Sequence, residues 1–301
     1  MSMEVRAKKS LGQHFLTDQG VARSIVDALT APAGDVLEVG PGMGVLTRYL
    51  LERPDVDLRL VEIDGESVDY LLTHFPGMQG RLIQADFLRL PLEKFFGDRF
   101  LIIGNFPYNI SSQIFFKVLD YKDKVPEVVC MIQKEVAERI AEKPGSKTYG
   151  ILSVLLQAWY DIEYLFTVGS GAFAPPPKVQ SAVIRLRRNS RTDLGCDEAL
   201  FKAVVKTAFG QRRKTLRNSL RPLIAAAGVG SSGSRTASAD GTATASATGP
   251  AGSAVAHSAG APDSQVRAAG VDTSAPVFDL RPERLSVEDF VALTLALTPR
   301  G

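Results

Sequence analysis

The 301-residue chain is poor in the residues that carry redox, metal and disulfide chemistry. Two cysteines, Cys130 and Cys196, are too few for a disulfide framework or a zinc site, and both read as small buried hydrophobes. Three histidines, at positions 14, 74 and 257, are too scattered for a ligand cluster, so no metal is expected. No apolar run approaches the ~18 residues of a membrane span, and the N-terminus lacks the pattern of a secretory signal. A cytoplasmic protein without a membrane partner is expected. Charge of one sign is also scarce: 35 Lys+Arg against 33 Asp+Glu leave +2, so nucleic-acid binding would have to rest on local clusters.

What is present is a repeated pattern. Short aliphatic runs at 36–39, 58–61, 82–83, 101–103 and 128–132 are each followed by a loop and, in most cases, by an amphipathic segment at helical spacing. The spacing predicts helices over roughly 18–30, 45–53, 65–75, 111–121, 134–143 and 149–160, with Ser111 and Ser112 as candidate N-caps of the fourth. Near-continuous apolar strands alternating with helices indicate a mostly parallel sheet covered on both faces. Runs at 164–168 and 182–186 are placed to close it as a terminal strand pair. The fold class is therefore α/β, a doubly wound Rossmann-like sheet with ligands expected at the carboxyl ends of its strands. From about 189 the chain turns helical and basic. Residues 225–276 are almost entirely Ala, Gly, Ser, Thr and Pro without periodicity, which predicts a disordered insertion. Apolar spacing resumes over 287–297 and predicts a helix that packs back on the smaller part. The expected division is 1–188 and 189–301.

The stretch Glu38-Val39-Gly40-Pro41-Gly42-Met43-Gly44 follows the first run and opens a helix. Glycines permit a tight turn and close approach of a ligand to outward-pointing backbone N–H groups. Glu62 ends the second run, where an acid suits a ribose diol, with Ile63 beside it. Asp86, followed by Phe87, ends the third and could reach an adenine amine. A dinucleotide fingerprint needs a third glycine where Val45 stands. The acids Glu38, Glu62 and Asp86, with no cation in the loop before Arg48, suit a cationic sulfonium better than a pyrophosphate. The bland alternative is that Glu62 and Asp86 merely cap turns.

Asn105-Phe106-Pro107-Tyr108 follows the fourth run. An exocyclic adenine amine is a poor nucleophile because its lone pair is delocalised into the ring. Two acceptors around its protons, the Asn105 amide oxygen and the Phe106 carbonyl, would hold it and favour a tetrahedral nitrogen. Pro107 stiffens the turn, and Tyr108 offers a ring for an unstacked base. No activated nucleophile accompanies these residues, and direct in-line transfer needs none. Further on, Lys206, Arg212, Arg213, Lys214, Arg217 and Arg221 occur without an intervening acid, and Arg213, Arg217 and Arg221 would share one helix face. A solvated basic face is the ordinary reading of such a run. The missing acids and the basic strand carrying Arg185, Arg187 and Arg188 favour phosphate binding.

Six stretches in order carry a resemblance: 9–16 (KSLGQHFL), 38–44, 105–111, 133–136 (QKEV), 173–179 (FAPPPKV) and 211–220 (QRRKTLRNSL). With them the chain resembles the small-subunit ribosomal RNA adenine dimethyltransferases over nearly everything outside 225–276. That resemblance implies a class I S-adenosylmethionine-dependent methyltransferase with a seven-stranded sheet, acting on two adjacent adenosines near the 3′ end of small-subunit (16S) rRNA during ribosome biogenesis. It implies cofactor contacts from His14, Leu16, Gly40, Gly42, Gly44, Glu62, Ile63, Asp86, Phe87 and Asn105, and Phe173 as a second aromatic wall opposite Tyr108. The expected partner is the small ribosomal subunit at a late assembly stage, and a monomer is expected. Gly210 departs from the family's usual polar residue before the Gln211 run. The rival readings are a large-subunit adenine methyltransferase of the macrolide-resistance type, a non-catalytic RNA-binding assembly factor and, least fitting, a dehydrogenase.

Overall fold

A computed structural model describes residues 5–32, 34–227 and 273–298. Among the described residues nine strands form: β1 (Phe15–Leu16), β2 (Asp35–Val39), β3 (Asp57–Glu62), β4 (Leu82–Gln84), β5 (Leu101–Asn105), β6 (Glu127–Gln133), β7 (Tyr160–Val168), β8 (Phe173–Ala174) and β9 (Ser181–Arg188). Seven of them make one sheet in the order β4-β3-β2-β5-β6-β9-β7. Only β9 runs against its neighbours, so the terminal pair expected from the sequence closes the sheet with β9 inserted between β6 and β7. The chain order reverses between β2 and β5, and that switch point is where the carboxyl ends of parallel strands leave a crevice.

Helices cover both faces: α1 (Gln19–Asp27), α2 (Val45–Leu50), α3 (Gly65–His74), α4 (Ser111–Asp120), α5 (Lys134–Ala141) and α6 (Ile151–Gln157). Strand alternation divides the apolar side chains between the two layers. Leu37, Ile102, Val128 and Cys130 enter one core, and Val36, Leu101, Ile103, Val129 and Met131 the other. Cys130 is fully buried, and that burial pushes its thiol pKa upward; Cys196 is half-buried.

After the sheet come α7 (Glu198–Gly210), α8 (Leu216–Ser219), α9 (Arg221–Ala226) and α10 (Val287–Leu297). Tyr149, Phe209 and Phe290 meet in sequence with tilted rings, centroids 6.3 and 5.9 Å apart, and join α7 and α10 to the start of α6. The core on this face therefore runs without a break from the sheet into the C-terminal helices. Ser286 and Asp289 form a capping box at the start of α10, and α10 packs on α7 and α6, as its apolar spacing predicts.

Three expectations change. Ser111 is the first residue inside α4 and Ile110 is its N-cap, because the tetrad turn enters the helix through backbone bonds and needs no side-chain cap. The basic run is not one helix: α7 stops at Gly210, a turn follows, and α8 and α9 start anew, so Arg213, Arg217 and Arg221 do not share a helix face. Gly210 thus ends a helix, where a glycine costs little. Of the segment expected to be disordered, 228–272 lies outside the described residues. Its ends do not match that expectation, since Ala225 and Ala226 close α9 and Thr273 accepts a bond from Arg217.

Candidate active site

The site is assembled at the carboxyl ends of β2, β3, β4 and β5. The glycine turn leaves β2 with Gly40 and Gly44 at φ +68° and +76°, a region other residues rarely adopt. Gly104 serves differently: a Cβ there would lie 2.5 Å from the Val39 carbonyl, so only glycine lets β5 deliver Asn105 beside the turn. A cleft opens above, lined by Gly40, Gly42, Glu62, Ile63, Asp86, Phe87, Asn105, Pro107 and Tyr108, with His14, Phe15 and Leu16 as its roof. About 1230 Å³ of space free of protein atoms, open solvent included, lies between these walls.

Its electrostatics are acidic. Glu62 is 5% exposed and accepts from the backbone N–H of Gly42, Ile63 and Asp64 at 3.2, 2.9 and 2.9 Å. Burial still pushes its pKa up. Glu38, 1% exposed, accepts from the Thr47 hydroxyl at 2.7 Å, and burial pushes it up to about 8. Neither carboxyl forms an ion pair among the described residues. The cleft lining holds the acids Glu62 and Asp86 and no lysine or arginine, with Glu38 buried and neutral behind them. Such a lining favours a positively charged ligand, the fit that a sulfonium cofactor requires. Asp86 caps the turn Phe87–Arg89 through a bond from Leu88 N, which occupies one of its oxygens. Capping, the bland alternative, is thus part of what Asp86 does.

Asn105 is held by tertiary contact. Its Nδ2 donates to the His14 carbonyl at 3.0 Å, and the His14 ring bonds the Pro175 carbonyl through Nδ1 and stacks on Tyr108 at 5.4 Å. The Tyr108 hydroxyl bonds Ser181, a buried residue at the start of β9. Phe106 is fully buried edge-on against Phe115, so only its backbone can face the cleft. Phe173 is not brought into the lining. It is 4% exposed in the core, paired with Leu16 where β1 meets β8. A wall opposite Tyr108 would require it to turn outward.

Sequence reasoning missed Ser181, Lys8 and Gln13. Lys8 bonds Asp64 and Glu66, and Gln13 reaches Asp64 at 3.5 Å, so the N-terminal arm is tied beside Glu62. A lone serine opening an apolar strand was the available signal for Ser181; for Lys8, whose partner is 56 positions away, there was none.

The expected RNA contacts divide. Arg185, Arg187 and Arg188 lie at the opposite end of the sheet, where Arg187 pairs in register with Glu127 at the start of β6. They are engaged internally: Arg185 with Glu163 and the Ala28 carbonyl, Arg187 with Glu127 and Glu163, Arg188 with the carbonyls of Trp159 and Arg191. The arginines of this strand thus have internal partners at the end of the sheet away from the cleft. Arg217 pairs with Asp279 at 2.8 Å, and Arg212 bonds the Lys147 carbonyl and lies 3.9 Å from Glu283, both acids coming from beyond residue 273. Arg213, Lys214 and Arg221 are exposed, with no ion pair among the described residues.

The comparisons with known proteins agree with this architecture. The ribosomal RNA adenine dimethylase family matches residues 4–234. The chain is 54% identical over 292 residues to a ribosomal RNA small subunit methyltransferase A of Parabacteroides distasonis, covering 97% of this chain and 94% of that one. It is 59% identical over 222 residues to the protein of the same name from Bacteroides fragilis, covering 73% and 81%. Among solved structures, a dimethyladenosine transferase from Plasmodium falciparum superposes with a TM-score of 0.60 at 25% identity, over 69% of this chain and 75% of that one. A 23S rRNA methyltransferase, ErmE, gives 0.55 at 26% identity, over 73% and 92%. With a matched family spanning most of its length and relatives above half identity, the chain belongs to the ribosomal RNA adenine dimethylases.

Proposed function

We propose that this enzyme transfers methyl groups from S-adenosylmethionine to the N6 amines of two adjacent adenosines near the 3′ end of small-subunit rRNA. The observation that carries the reading is the bond from Asn105 Nδ2 to the His14 carbonyl. A carbonyl can only accept, so the bonded atom is the amide nitrogen and Oδ1 is left as the free acceptor.

When bound, S-adenosylmethionine supplies a methyl carbon made electrophilic by the neighbouring sulfonium. Glu62 and the Gly40–Gly44 turn would hold its ribose and backbone-facing side, with Asp86, Phe87 and Ile63 around the adenine and His14 and Leu16 above. Asn105 Oδ1 and the Phe106 carbonyl accept from the two amine protons and aim the nitrogen lone pair at the cofactor side. The amine so held would be aligned for direct in-line transfer of the methyl group and would release one proton. Positioning of this kind supplies up to roughly 7–11 kcal/mol in well-oriented systems. Tyr108, with its hydroxyl anchored on Ser181, offers the ring on which the base rests.

The helical part beyond 188 would contact rRNA through Arg213, Lys214 and Arg221, and the enzyme would act as a cytoplasmic monomer on late small-subunit particles. No helix among the described residues is long and apolar enough to cross a membrane. The large-subunit alternative draws on the fold shared with the 23S rRNA methyltransferase, but the relatives at half identity or more carry the small-subunit name. The test is incubation with labelled cofactor and immature small subunits from a methylation-deficient strain, followed by mapping of the labelled nucleotides. Label on two adjacent adenosines near the 3′ end supports the reading. Unlabelled small subunits, with label on large-subunit RNA offered in a parallel incubation, overturn it.

A further inference from the structure

Lys117 lies in the second half of α4, half-buried and outside the cleft. Its ammonium donates to two backbone carbonyls, those of Phe87 and Leu90, and sits 5.0 Å from the centre of the Phe87 ring. Asp86, Glu93 and Asp120 are near enough to favour its charge, yet it forms an ion pair with none of them. Burial lowers its pKa, so a partly desolvated ammonium is spent on carbonyl oxygens rather than on carboxylates.

The carbonyls it takes belong to the turn Phe87–Arg89 and the residue that ends it. This turn is the short connection after β4, and residues 85–88 of it form one wall of the cleft. Asp86 caps its start through Leu88 N, and Lys117 gathers the carbonyls at its exit, so the segment is held at both ends. The helix that carries Lys117 begins directly after the tetrad, with Ile110 N bonded to the Pro107 carbonyl and the Ser111 hydroxyl to that of Tyr108. Lys117 stands six residues into α4, about 9 Å along its axis at the usual rise per residue. One rigid helix thus carries the acceptor-side turn at its start and grips the opposite wall further along.

We infer that Lys117 is a positioning residue that sets the 85–88 wall of the cofactor cleft against the Asn105 turn. It acts through the backbone of Phe87 and Leu90 and touches neither substrate nor cofactor. The inference rests on the proposed seat of the cofactor's adenosine against Asp86 and Phe87. A hydrophobic substitute keeps the packing of the lysine stem but releases both carbonyls, and the wall is then free to shift. Arginine keeps the charge and donors and should restore most of the effect.

The experiment is calorimetric binding of S-adenosylhomocysteine to the wild type, Lys117→Met, Lys117→Arg and Glu62→Ala, with melting curves and steady-state kinetics on immature small subunits. Lys117→Met should weaken binding about tenfold, the scale of losing a charge-assisted contact, and raise KM for the cofactor in step. Turnover at saturating cofactor should stay within about twofold, because Asn105 and Tyr108 are untouched. Lys117→Arg should recover most of the affinity. A merely structural lysine would lower kcat and the melting temperature together without this separation, and that result overturns the inference. Unchanged affinity in Lys117→Met with weakened binding in Glu62→Ala overturns it while leaving the site intact. Unchanged affinity in both variants overturns the cofactor seat itself, and this inference with it.

Discussion

Asn105 and His14, 91 positions apart in the chain, are joined by a 3.0 Å hydrogen bond from a side-chain amide to a backbone carbonyl. The bond orients the amide so that only its oxygen can serve a substrate amine. Asn105→Ala should therefore lower methylation of small subunits at least about a hundredfold, the scale of losing one preorganised polar group at a reacting centre. Folding stability should fall by only about 1 kcal/mol, one ordinary hydrogen bond. Initial rates and a urea titration of the same preparation check both. Near-full turnover in the variant would make the tetrad a structural turn.

Glu62 holds three backbone N–H groups and faces the cleft. Glu62→Ala should cost roughly 1.5–3 kcal/mol of cofactor binding, about 10- to 150-fold in Kd. Calorimetry with S-adenosylhomocysteine measures it, and an unchanged Kd removes Glu62 from the cofactor site.

The carboxyl of Glu38 is held neutral in the fold, near pKa 8, chiefly by burial. Because the folded value lies above the unfolded one, its contribution is complete below about pH 4.5 and is lost as pH rises to about 8, where the folded carboxyl ionises in turn. Glu38→Gln keeps an acceptor for Thr47 and removes the titration. Its stability relative to wild type should rise between pH 5 and pH 8 in denaturant titrations of the ligand-free protein. Parallel curves for the two proteins across that range would place the titration elsewhere.

Exposed and engaged arginines should behave differently. Arg213→Gln with Arg221→Gln should weaken binding to the small subunit and flatten its salt dependence by about one unit of slope per lost phosphate contact. Arg217→Gln, whose guanidinium is committed to Asp279 and the Thr273 carbonyl, should lower the melting temperature and change the salt slope less. Equal salt effects from the two sets would show that the pairing with Asp279 opens on RNA. Cofactor affinity should be unaltered in both, measured by calorimetry.

The stability of the lower sheet edge should depend on Arg187, which links buried Glu127 to Glu163. Arg187→Gln leaves Glu127 with only its bonds from Thr30 and Ala31. Loss of one partner from a buried charge is expected to cost up to about 3 kcal/mol. Thermal melts check this, and methylation at permissive temperature should persist.

How much of this was legible in the residues follows from the range of the forces involved. Strand and helix positions were readable because each is a local period, and the site turns because glycines and acids fall at strand ends. The terminal pair was expected, but its order, with β9 between β6 and β7, was not specified by any local pattern. The basic run illustrates the limit. From 206 to 221 no acid interrupts it, and helical spacing put three arginines on one face. In the fold the helix breaks after Gly210, and the missing acids, Asp279 and Glu283, arrive from beyond residue 273.

The sequence by itself determined the α/β class, from the alternation of apolar runs and helical periods, and the acidic glycine turn and the Asn105 tetrad, each encoded within a few consecutive residues. Only the tertiary structure decided which groups these residues face. It set Asn105 against His14, Tyr108 on Ser181, Phe173 in the core, Lys117 under the cleft wall and the β9 arginines among acids far from the site. Those pairings join positions tens to more than a hundred residues apart. They depend on how strands are ordered and faces packed, and no local period records that.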